Sequence, residues 1–454
     1  MDMIAAISTG TNPTAIGIVR VSGEGCFALC DKVFHPSNGQ MFSTQPSRKM
    51  IYGEMLDAEG RVIDRGLAVR FPAPHSYTGE DSAEFHCHGS PVVLRELLSA
   101  LFATGARQAR AGEFTQRAFL NGQLDLTQAE AVIDLIDAET AEAARNAAAQ
   151  LDGGLRRMLE PIQDTLLEIT SRFYAVVDYP DEDIADLEKG ESLDTLRRSR
   201  VRLEELLASF SRGQLVKNGV PTVLLGKPNV GKSSLLNALL GYERAIVTDI
   251  AGTTRDTVEE KLPLGRVLLR LTDTAGLRDS DDTVEMLGVE RSRAAAAKAS
   301  LALLVLDGSA PMDEEDEEAA ALSESARHTV AVVNKSDLPC CLVLDKLRRR
   351  FDMVVPISAK EGSGIKGLCE ILEGLYSDAP AAAGEMLTNA RQAAAVERAL
   401  RAVEAAEESL LQDMTPDVVL TEAEQAMEAL NELTGKHVRD DLVEAIFSRF
   451  CVGK

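Results

Sequence analysis

Leu225-Gly226-Lys227-Pro228-Asn229-Val230-Gly231-Lys232-Ser233-Ser234 follows the apolar run Val223-Leu224-Leu225 and leads into Ser234-Leu235-Leu236-Asn237-Ala238-Leu239-Leu240. A strand, a glycine-rich turn and a helix start in that order make a phosphate-binding loop. Gly226 and Gly231, five positions apart, let the backbone aim its N–H groups at a polyphosphate. The helix N-terminus adds partial positive charge, Lys232 reaches the outer phosphates, and the Ser233 hydroxyl is a ligand for Mg²⁺. The loop therefore predicts a nucleotide site on an α/β domain.

Outward from that loop, the apolar runs Thr222–Leu225, Val267–Leu271, Leu301–Leu306, Thr329–Val333 and Val354–Ile357 are short and bounded by turn residues. Alternating with helical stretches, they predict buried parallel strands of a three-layer sheet. Binding groups then belong at the carboxyl ends of the strands. Asp273-Thr274-Ala275-Gly276 follows the second run, Asn334-Lys335-Ser336-Asp337 the fourth, and Ser358-Ala359-Lys360 the fifth. The Asp273 carboxylate suits a Mg²⁺-bound water and the Gly276 N–H a γ-phosphate. Asp337 accepts two N–H bonds from a guanine edge, where adenine presents the wrong pattern. Four motifs in this order predict a guanine-nucleotide domain over residues 216–380.

The remaining sequence divides by texture. Residues 1–120 alternate β-type runs (Ala15–Val21, Gly66–Phe71) with turns at Asn38-Gly39 and Pro72-Ala73-Pro74, and Val92–Leu98 is helical in pattern. An α+β domain is expected. From residue 121 to 215 the pattern is helical. Thr127-Gln128-Ala129-Glu130 has the spacing of a capping box, so a helix is expected to begin there. Leu155, Leu159, Ile162, Leu166, Ile169, Phe173 and Val176 recur as an a/d seam. Pro161 interrupts it, so a helix either starts at the proline or is kinked by it. A second helix with Leu196, Leu203, Leu207 and Phe210 is expected to end near Gly213. Residues 381–454 are again helical, with Val396, Leu400, Val403 and Leu410 in one helix and Val419, Ala423, Met427, Leu430 and Leu433 in the next. Gly435 is the stop. A last helix spans residues 440–450. Neither helical region has much core of its own. One helical domain with the α/β domain inserted is the economical reading; two small bundles are the alternative.

Length and composition set outer limits. At 454 residues the chain has room for roughly three domains. No apolar run approaches the roughly 18 residues of a membrane span, and no basic segment with a long apolar core opens the chain. A cytoplasmic location is expected. Seven cysteines without a CxxC pair indicate neither a disulfide framework nor a zinc site. His86-Cys87-His88 reads as a polar strand face rather than a chelate. The balance of 48 basic against 72 acidic residues gives −24. That excludes a surface that is cationic throughout, but leaves room for a local basic path or a basic partner. Asp313–Glu318 reads as a solvated helix N-terminus, and Asp178, Asp181, Glu182 and Asp183 as a polar loop.

These motifs resemble the G motifs of translation-factor-related GTPases. Gly252-Thr253-Thr254-Arg255-Asp256 and the asparagine in the phosphate loop are similar to those of the TrmE–Era–EngA-like group. The whole chain, to its terminal Phe450-Cys451-Val452-Gly453-Lys454, resembles the MnmE (TrmE) family of tRNA modification GTPases. The resemblance implies a multidomain fold: an N-terminal α+β folate-binding-like domain, an all-α helical domain and an inserted Ras-like G domain. It implies nucleotide contacts from Asn229, Val230, Gly231, Lys232, Ser233 and Ser234, and from the switch segment Thr248, Asp249, Ile250, Ala251, Gly252, Thr253 and Thr254. Further contacts are implied from Asp273, Thr274, Ala275, Gly276, Asn334, Lys335, Asp337, Ser358, Ala359 and Lys360.

Leu277 stands where Ras-like enzymes carry the glutamine that orients water, and no arginine finger is evident. Such a finger is worth roughly 10³–10⁵ in rate. The resemblance implies that K⁺ takes its place, held by Asn229, Thr248, Ile250 and Thr253, with Ser233 and Thr254 at Mg²⁺ and Glu285 positioning water. Lys232, Asn229 and Glu285 are thus the implied catalytic set. On residue grounds alone, Asn229 is a turn-stabilising side chain and Glu285 a solvated helix residue. The family pattern also places a tetrahydrofolate derivative on Arg20, Glu84, Gln123 and Lys454. Relatives often carry lysine at the position of Gln123, which hydrogen-bonds without charge. Arg20 and Glu84 read locally as surface residues. Cys451 is a one-carbon acceptor or a packing thiol.

The implied activity is potassium-stimulated GTP hydrolysis, GTP being the substrate, coupled to modification of C5 of the tRNA wobble uridine with an aminomethyl or carboxymethylaminomethyl group. Implied partners are a second copy of the chain, tRNA, and an FAD-containing MnmG in a heterotetramer or larger complex, with no membrane span. The competing reading is an Era/EngA-like RNA-binding or ribosome-assembly regulator.

Overall fold

Alternation of apolar and polar residues organises the first sheet. The computed structural model describes the chain apart from residues 1, 11, 179–188, 245–258, 274–295, 352, 377–382, 437–442, 444–445, 449 and 454. In chain order come β1 (Ile4–Ile7), β2 (Thr14–Ser22), α1 (Cys26–Cys30), β3 (Phe34–Pro36), β4 (Ile51–Leu56), β5 (Val62–Phe71), β6 (Ser82–Gly89), α2 (Pro91–Ala103) and β7 (Arg107–Gln108). The strands form one sheet in the order β3-β4-β5-β6-β2-β1-β7, antiparallel except for the β1–β7 pair. Val19, Val21, Phe85 and Cys87 point to one face and bury against Leu94, Leu97 and Leu101 of α2. The opposite face carries the cross-strand rows Tyr52–Leu67–His86–Ile18 and Val69–Glu84–Arg20. His86 and His88 share that face but not a ligand. The His88 Nδ1 lies 2.8 Å from Asp64 Oδ1 and the His86 Nε2 3.4 Å from Glu84 Oε2. Among the described residues no cluster of three or more His, Cys, Asp or Glu is placed to hold a metal ion.

Helices α3 (Glu113–Leu120), α4 (Leu126–Ile136), α5 (Ala141–Leu151), α6 (Gly154–Asp178) and α7 (Lys189–Asn218) follow. The capping box expected at Thr127–Glu130 lies two residues earlier. The Gln128 N–H donates to Asp125 Oδ1 (2.9 Å) and the Asp125 N–H to Gln128 Oε1 (3.0 Å). Thr127 and Glu130 are buried inside α4 instead. In α6, Leu155, Leu159, Ile162, Leu166, Ile169 and Phe173 are all buried, which bears out the seam as far as Phe173; the Val176 side chain lies outside the described residues. Of the two readings at Pro161, the helix start is corrected, since the proline lies inside α6. An interior proline costs on the order of 3 kcal/mol, so packing along the seam outweighs the local preference. The expected stop at Gly213 is also corrected, since α7 continues to Asn218. A Cβ at Gly213 would lie 2.0 Å from the Leu387 carbonyl oxygen, so this glycine permits a close backbone approach.

Next come β8 (Val220–Leu225), α8 (Lys232–Arg244), β9 (Glu259–Leu264), β10 (Val267–Asp273), β11 (Leu301–Asp307), α9 (Glu314–Ser323), β12 (His328–Asn334), α10 (Leu344–Arg350), β13 (Met353–Pro356) and α11 (Ile365–Leu375). Their sheet runs β13-β12-β11-β8-β10-β9. Alternate residues of β8 serve its two faces. Leu224 packs with Leu235 and Leu239 of α8 and Leu368 of α11; Val223 and Leu225 pack with Ala320 of α9 and Leu347 of α10. The expected parallel, three-layer arrangement holds for five strands. The sixth, β9, was not expected and pairs antiparallel with β10 at the edge.

The chain closes with α12 (Ala390–Leu411) and α13 (Pro416–Thr434), the latter stopped by Gly435 in the left-handed region. Gln163 of α6 donates to Asn431 of α13 at 3.0 Å. Val443, Ile446, Phe447 and Phe450 bury against Leu126 and Ala129 of α4. The chain falls into two compact units: Met1–Ile133 with Gln150–Leu203 and Ala394–Lys454, and Asp134–Ala149 with Glu204–Ala393. Among the described residues no helix is long and apolar enough to cross a membrane.

Candidate functional site

The carboxyl end of β8 opens into the loop over residues 226–231, and α8 starts at Lys232. Gly226 (φ +140°), Asn229 (φ +63°) and Gly231 (φ +99°) alternate with ordinary backbone, and this curls the loop. A Cβ at Gly231 would lie 2.2 Å from Asn334 Nδ2, so no other residue fits there. The Lys232 ammonium donates to the carbonyls of Gly226 (2.6 Å) and Lys227 (2.8 Å), across the mouth of the loop. Ser233 and Ser234 are exposed in the first turn of α8. Val230 is buried and anchors the loop in the core.

The base-recognition motifs are tied to this loop. Asn334, at the end of β12, donates from Nδ2 to the Val230 carbonyl (2.8 Å) and accepts at Oδ1 from the Ala359 N–H (3.0 Å). One buried amide thus joins all three segments. The Ser358 hydroxyl donates to Asp337 Oδ1 at 2.6 Å, and this bond is the main reason the Asp337 carboxyl titrates below its ordinary value. Asp337 is exposed and ionised, with acceptor capacity free for a donor pair. Lys335 (φ +63°) reaches Asp307 at 2.5 Å. Burial pushes the Asp307 carboxyl up, but Lys335 and Ser309 more than offset it and hold it down. Lys360 is exposed beside this motif.

Sequence reasoning missed one member of the site. The Lys227 Nζ lies 2.6 Å from Asp313 and 2.7 Å from Asp316. Those acids form a capping box at the start of α9. The acid run is therefore a clasp on the phosphate loop as well as a helix N-terminus. β8 and β11 are parallel neighbours, so the segments after their carboxyl ends meet; that adjacency was the available signal. Thr248, Asp249, Ile250, Ala251, Gly252, Thr253 and Thr254 lie outside the described residues, as do Thr274, Ala275, Gly276, Leu277 and Glu285. Asp273 ends β10, and its side chain lies outside the description.

A second cluster forms in the N-terminal sheet. Arg20 and Glu84 are cross-strand partners on β2 and β6, with Arg20 Nη2 2.8 Å from Glu84 Oε1. Both side chains are mostly covered, at 17% and 18% exposure, which sets aside the local reading as ordinary surface residues. The Arg20 guanidinium lies 5.3 Å from the Tyr77 ring centre and 5.6 Å from that of Phe114. The Gln123 side chain approaches the same turn, since a Cβ at Gly79 would lie 3.3 Å from its Nε2. The C-terminal segment joins this domain. Ser8 donates to the Gly453 carbonyl (3.1 Å), Val452 bridges Ala111, and the Gly112 N–H points to the Cys451 carbonyl (3.4 Å). Cys451 is an exposed free thiol. Lys454 lies outside the described residues.

A glycine-cradled loop joined through one asparagine to an Asp337–Ser358 base motif defines a P-loop domain of the GTP-binding class. Comparison with known proteins narrows this. The family described as GTP-binding protein TrmE N-terminus matches residues 3–123, and the MnmE helical domain matches residues 126–451. The tRNA modification GTPase MnmE of Heliobacterium modesticaldum is 42% identical over 464 aligned positions, covering 100% of this chain and 99% of that protein. Those of Roseiflexus sp. (strain RS-1) and Geobacillus thermodenitrificans are 42% and 39% identical, each with the same coverage. The chain belongs to the MnmE family of tRNA modification GTPases.

Proposed function

We propose that this chain hydrolyses GTP in the cradle of Lys232, Asn334 and Asp337. With an FAD-containing MnmG partner, it uses the one-carbon unit of a tetrahydrofolate derivative to build an aminomethyl or carboxymethylaminomethyl group on C5 of the tRNA wobble uridine. What carries the reading is the Asn334 link between phosphate loop and base motif, in a chain matched end to end by tRNA modification GTPases.

Ser233 and Thr254 would hold Mg²⁺, and Asn229, Thr248, Ile250 and Thr253 would hold K⁺. The fit is testable at Asn229. Its side chain is exposed at the loop mouth and makes no hydrogen bond among the described residues, so its oxygen is not spent on a turn contact. A cation there supplies positive charge against the charge that develops on the phosphates. Lys232 adds charge at the outer phosphates, and Glu285 is assigned to positioning water.

In the N-terminal domain, Arg20, Glu84 and Gln123 are the groups for the folate, with Lys454 completing the set and the exposed Cys451 assigned to the one-carbon chemistry. Arg20 offers a planar cation to a carboxylate or ring carbonyl, and the Tyr77 ring orients it. The same sheet face exposes Ile16 (61%), Tyr52 (54%) and Leu67 (38%), which supports pairing of two copies through it in a cytoplasmic assembly. The domain limits 1–120, 121–215, 216–380 and 381–454 belong to this reading. Nucleoside analysis of tRNA from a strain lacking this chain tests it. Loss of the C5 substituent, restored by this chain but not by Lys232→Ala, is expected; an unchanged nucleoside profile contradicts the reading.

A further inference from the structure

The chain carries −24 overall, yet α7 contains Arg197-Arg198-Ser199-Arg200-Val201-Arg202. Packing separates these arginines into two sets. Arg197 and Arg200 both reach Glu407 of α12, at 2.9 and 3.1 Å. Arg198 and Arg202, one turn apart on the helix, are exposed and have no carboxylate within 4 Å among the described residues. Among the described residues Arg198 bonds only to the Asp194 carbonyl and the Thr195 hydroxyl.

Those two arginines rim a groove of about 260 Å³ between α6 and α7. Ser192, Thr195, Ser199 and Arg202 follow at steps of three and four, a polar stripe beside the buried Leu196 and Leu203. Ser192 and Ser199 are buried, line the groove, and make no side-chain hydrogen bond among the described residues. At the other end Arg172 is held by Glu168 (2.5 Å) and Glu191 (3.2 Å). The groove is therefore acidic at one end and basic at the other, where Thr195 and Ser199 add hydroxyls to its lining.

We propose that the Arg198–Arg202 end of this groove takes phosphodiesters of the tRNA backbone. A guanidinium with a hydroxyl donor beside it matches phosphate oxygens. The summed field of so acidic a chain repels polyanions, so any tRNA contact made by the chain itself falls on a local basic site such as this one. The inference rests on tRNA being the substrate, as proposed above.

The test is fluorescence anisotropy of tRNA with the full chain over a salt series. Arg198→Gln/Arg202→Gln is compared with the charge-matched Arg348→Gln/Arg349→Gln on α10, both exposed. Losing two phosphate contacts lowers the slope of log affinity against log salt by about two, so between 50 and 200 mM salt the wild type loses roughly tenfold more affinity than the groove variant. The control pair and Arg198→Lys/Arg202→Lys keep the wild-type slope, and all variants keep GTP hydrolysis and helical circular dichroism. A groove variant with the wild-type slope, or a control that falls equally, overturns the proposal. So does retained tRNA binding with lost MnmG binding, which marks a protein interface. Wild type that hydrolyses GTP but binds no tRNA on its own overturns this inference alone; no tRNA binding even with MnmG added defeats the tRNA reading as well.

Discussion

In the nucleotide cradle the recognising atoms sit on ten consecutive residues and on short motifs at strand ends, and the backbone does much of the work. Gly226, Asn229 and Gly231 take positive φ, and the loop's own carbonyls hold Lys232. In the N-terminal sheet the site is made by side chains that only register brings together. Arg20 and Glu84 stand 64 positions apart in sequence and 2.8 Å apart in space, with Tyr77 and Phe114 from two further segments around them. A backbone-built site leaves a local sequence pattern, whereas a register-built one leaves none.

The sharpest way to break this comparison is at Asp337. An Asp337→Asn change replaces an acceptor pair by a mixed donor and acceptor. GTP affinity is expected to fall by about two orders of magnitude or more, with xanthosine triphosphate, whose ring presents a carbonyl in place of the amino group, bound in its stead. Folate binding should not change. Equal GTP affinity by calorimetry would show that the base is read elsewhere.

The N-terminal domain answers to acid. Burial raises the Glu113 carboxyl, but bonds from Arg107 (2.5 Å), the Arg110 N–H (2.8 Å) and Arg117 (3.1 Å) pull it down to about 2, from an ordinary 4.5. Its folded value is depressed, so its contribution is complete above pH 4.5 and fades as pH falls toward 2. On the order of 3 kcal/mol is lost across that window. Glu113→Gln should flatten the acid limb of the melting curve; an unchanged limb would remove Glu113 from the account of this domain.

Arg20→Ala leaves Glu84 mostly covered without its guanidinium, at about 1–2 kcal/mol of stability, and should abolish folate binding while GTP affinity stays within about twofold. Calorimetry with both ligands reads this, and a parallel loss of GTP binding would show that the two sites are not separate. The smallest effect is expected at Lys227→Met. Asp316, almost fully covered, loses its cation, but the loop keeps its backbone path. GTP affinity should fall only about threefold, near 0.7 kcal/mol. A drop of a hundredfold would mean that the clasp, not the backbone, shapes the cradle.

What the sequence made legible follows the same division. β8, β10, β11, β12 and β13 were readable because buried parallel strands are continuous apolar runs ending in motifs. β9 was not, since Glu259-Glu260-Lys261-Leu262-Pro263-Leu264 is charged and carries a proline, as an edge strand tolerates. Gly213 misled because a close approach by Leu387 overrides local preference, and of the two readings at Pro161 the helix start gives way to a proline carried inside a packed seam. Arg20 and Glu84 read locally as surface residues, and only the β2–β6 register shows them covered and paired.

The remaining question at the cradle is how GTP is cleaved with Leu277 in place of a glutamine. Turnover in equal concentrations of KCl and NaCl, for the wild type and Asn229→Ala, puts it most directly. Stimulation by K⁺ but not Na⁺, lost in Asn229→Ala while nucleotide binding persists, is the predicted result. Equal rates in the two salts would contradict a bound cation as the source of catalysis.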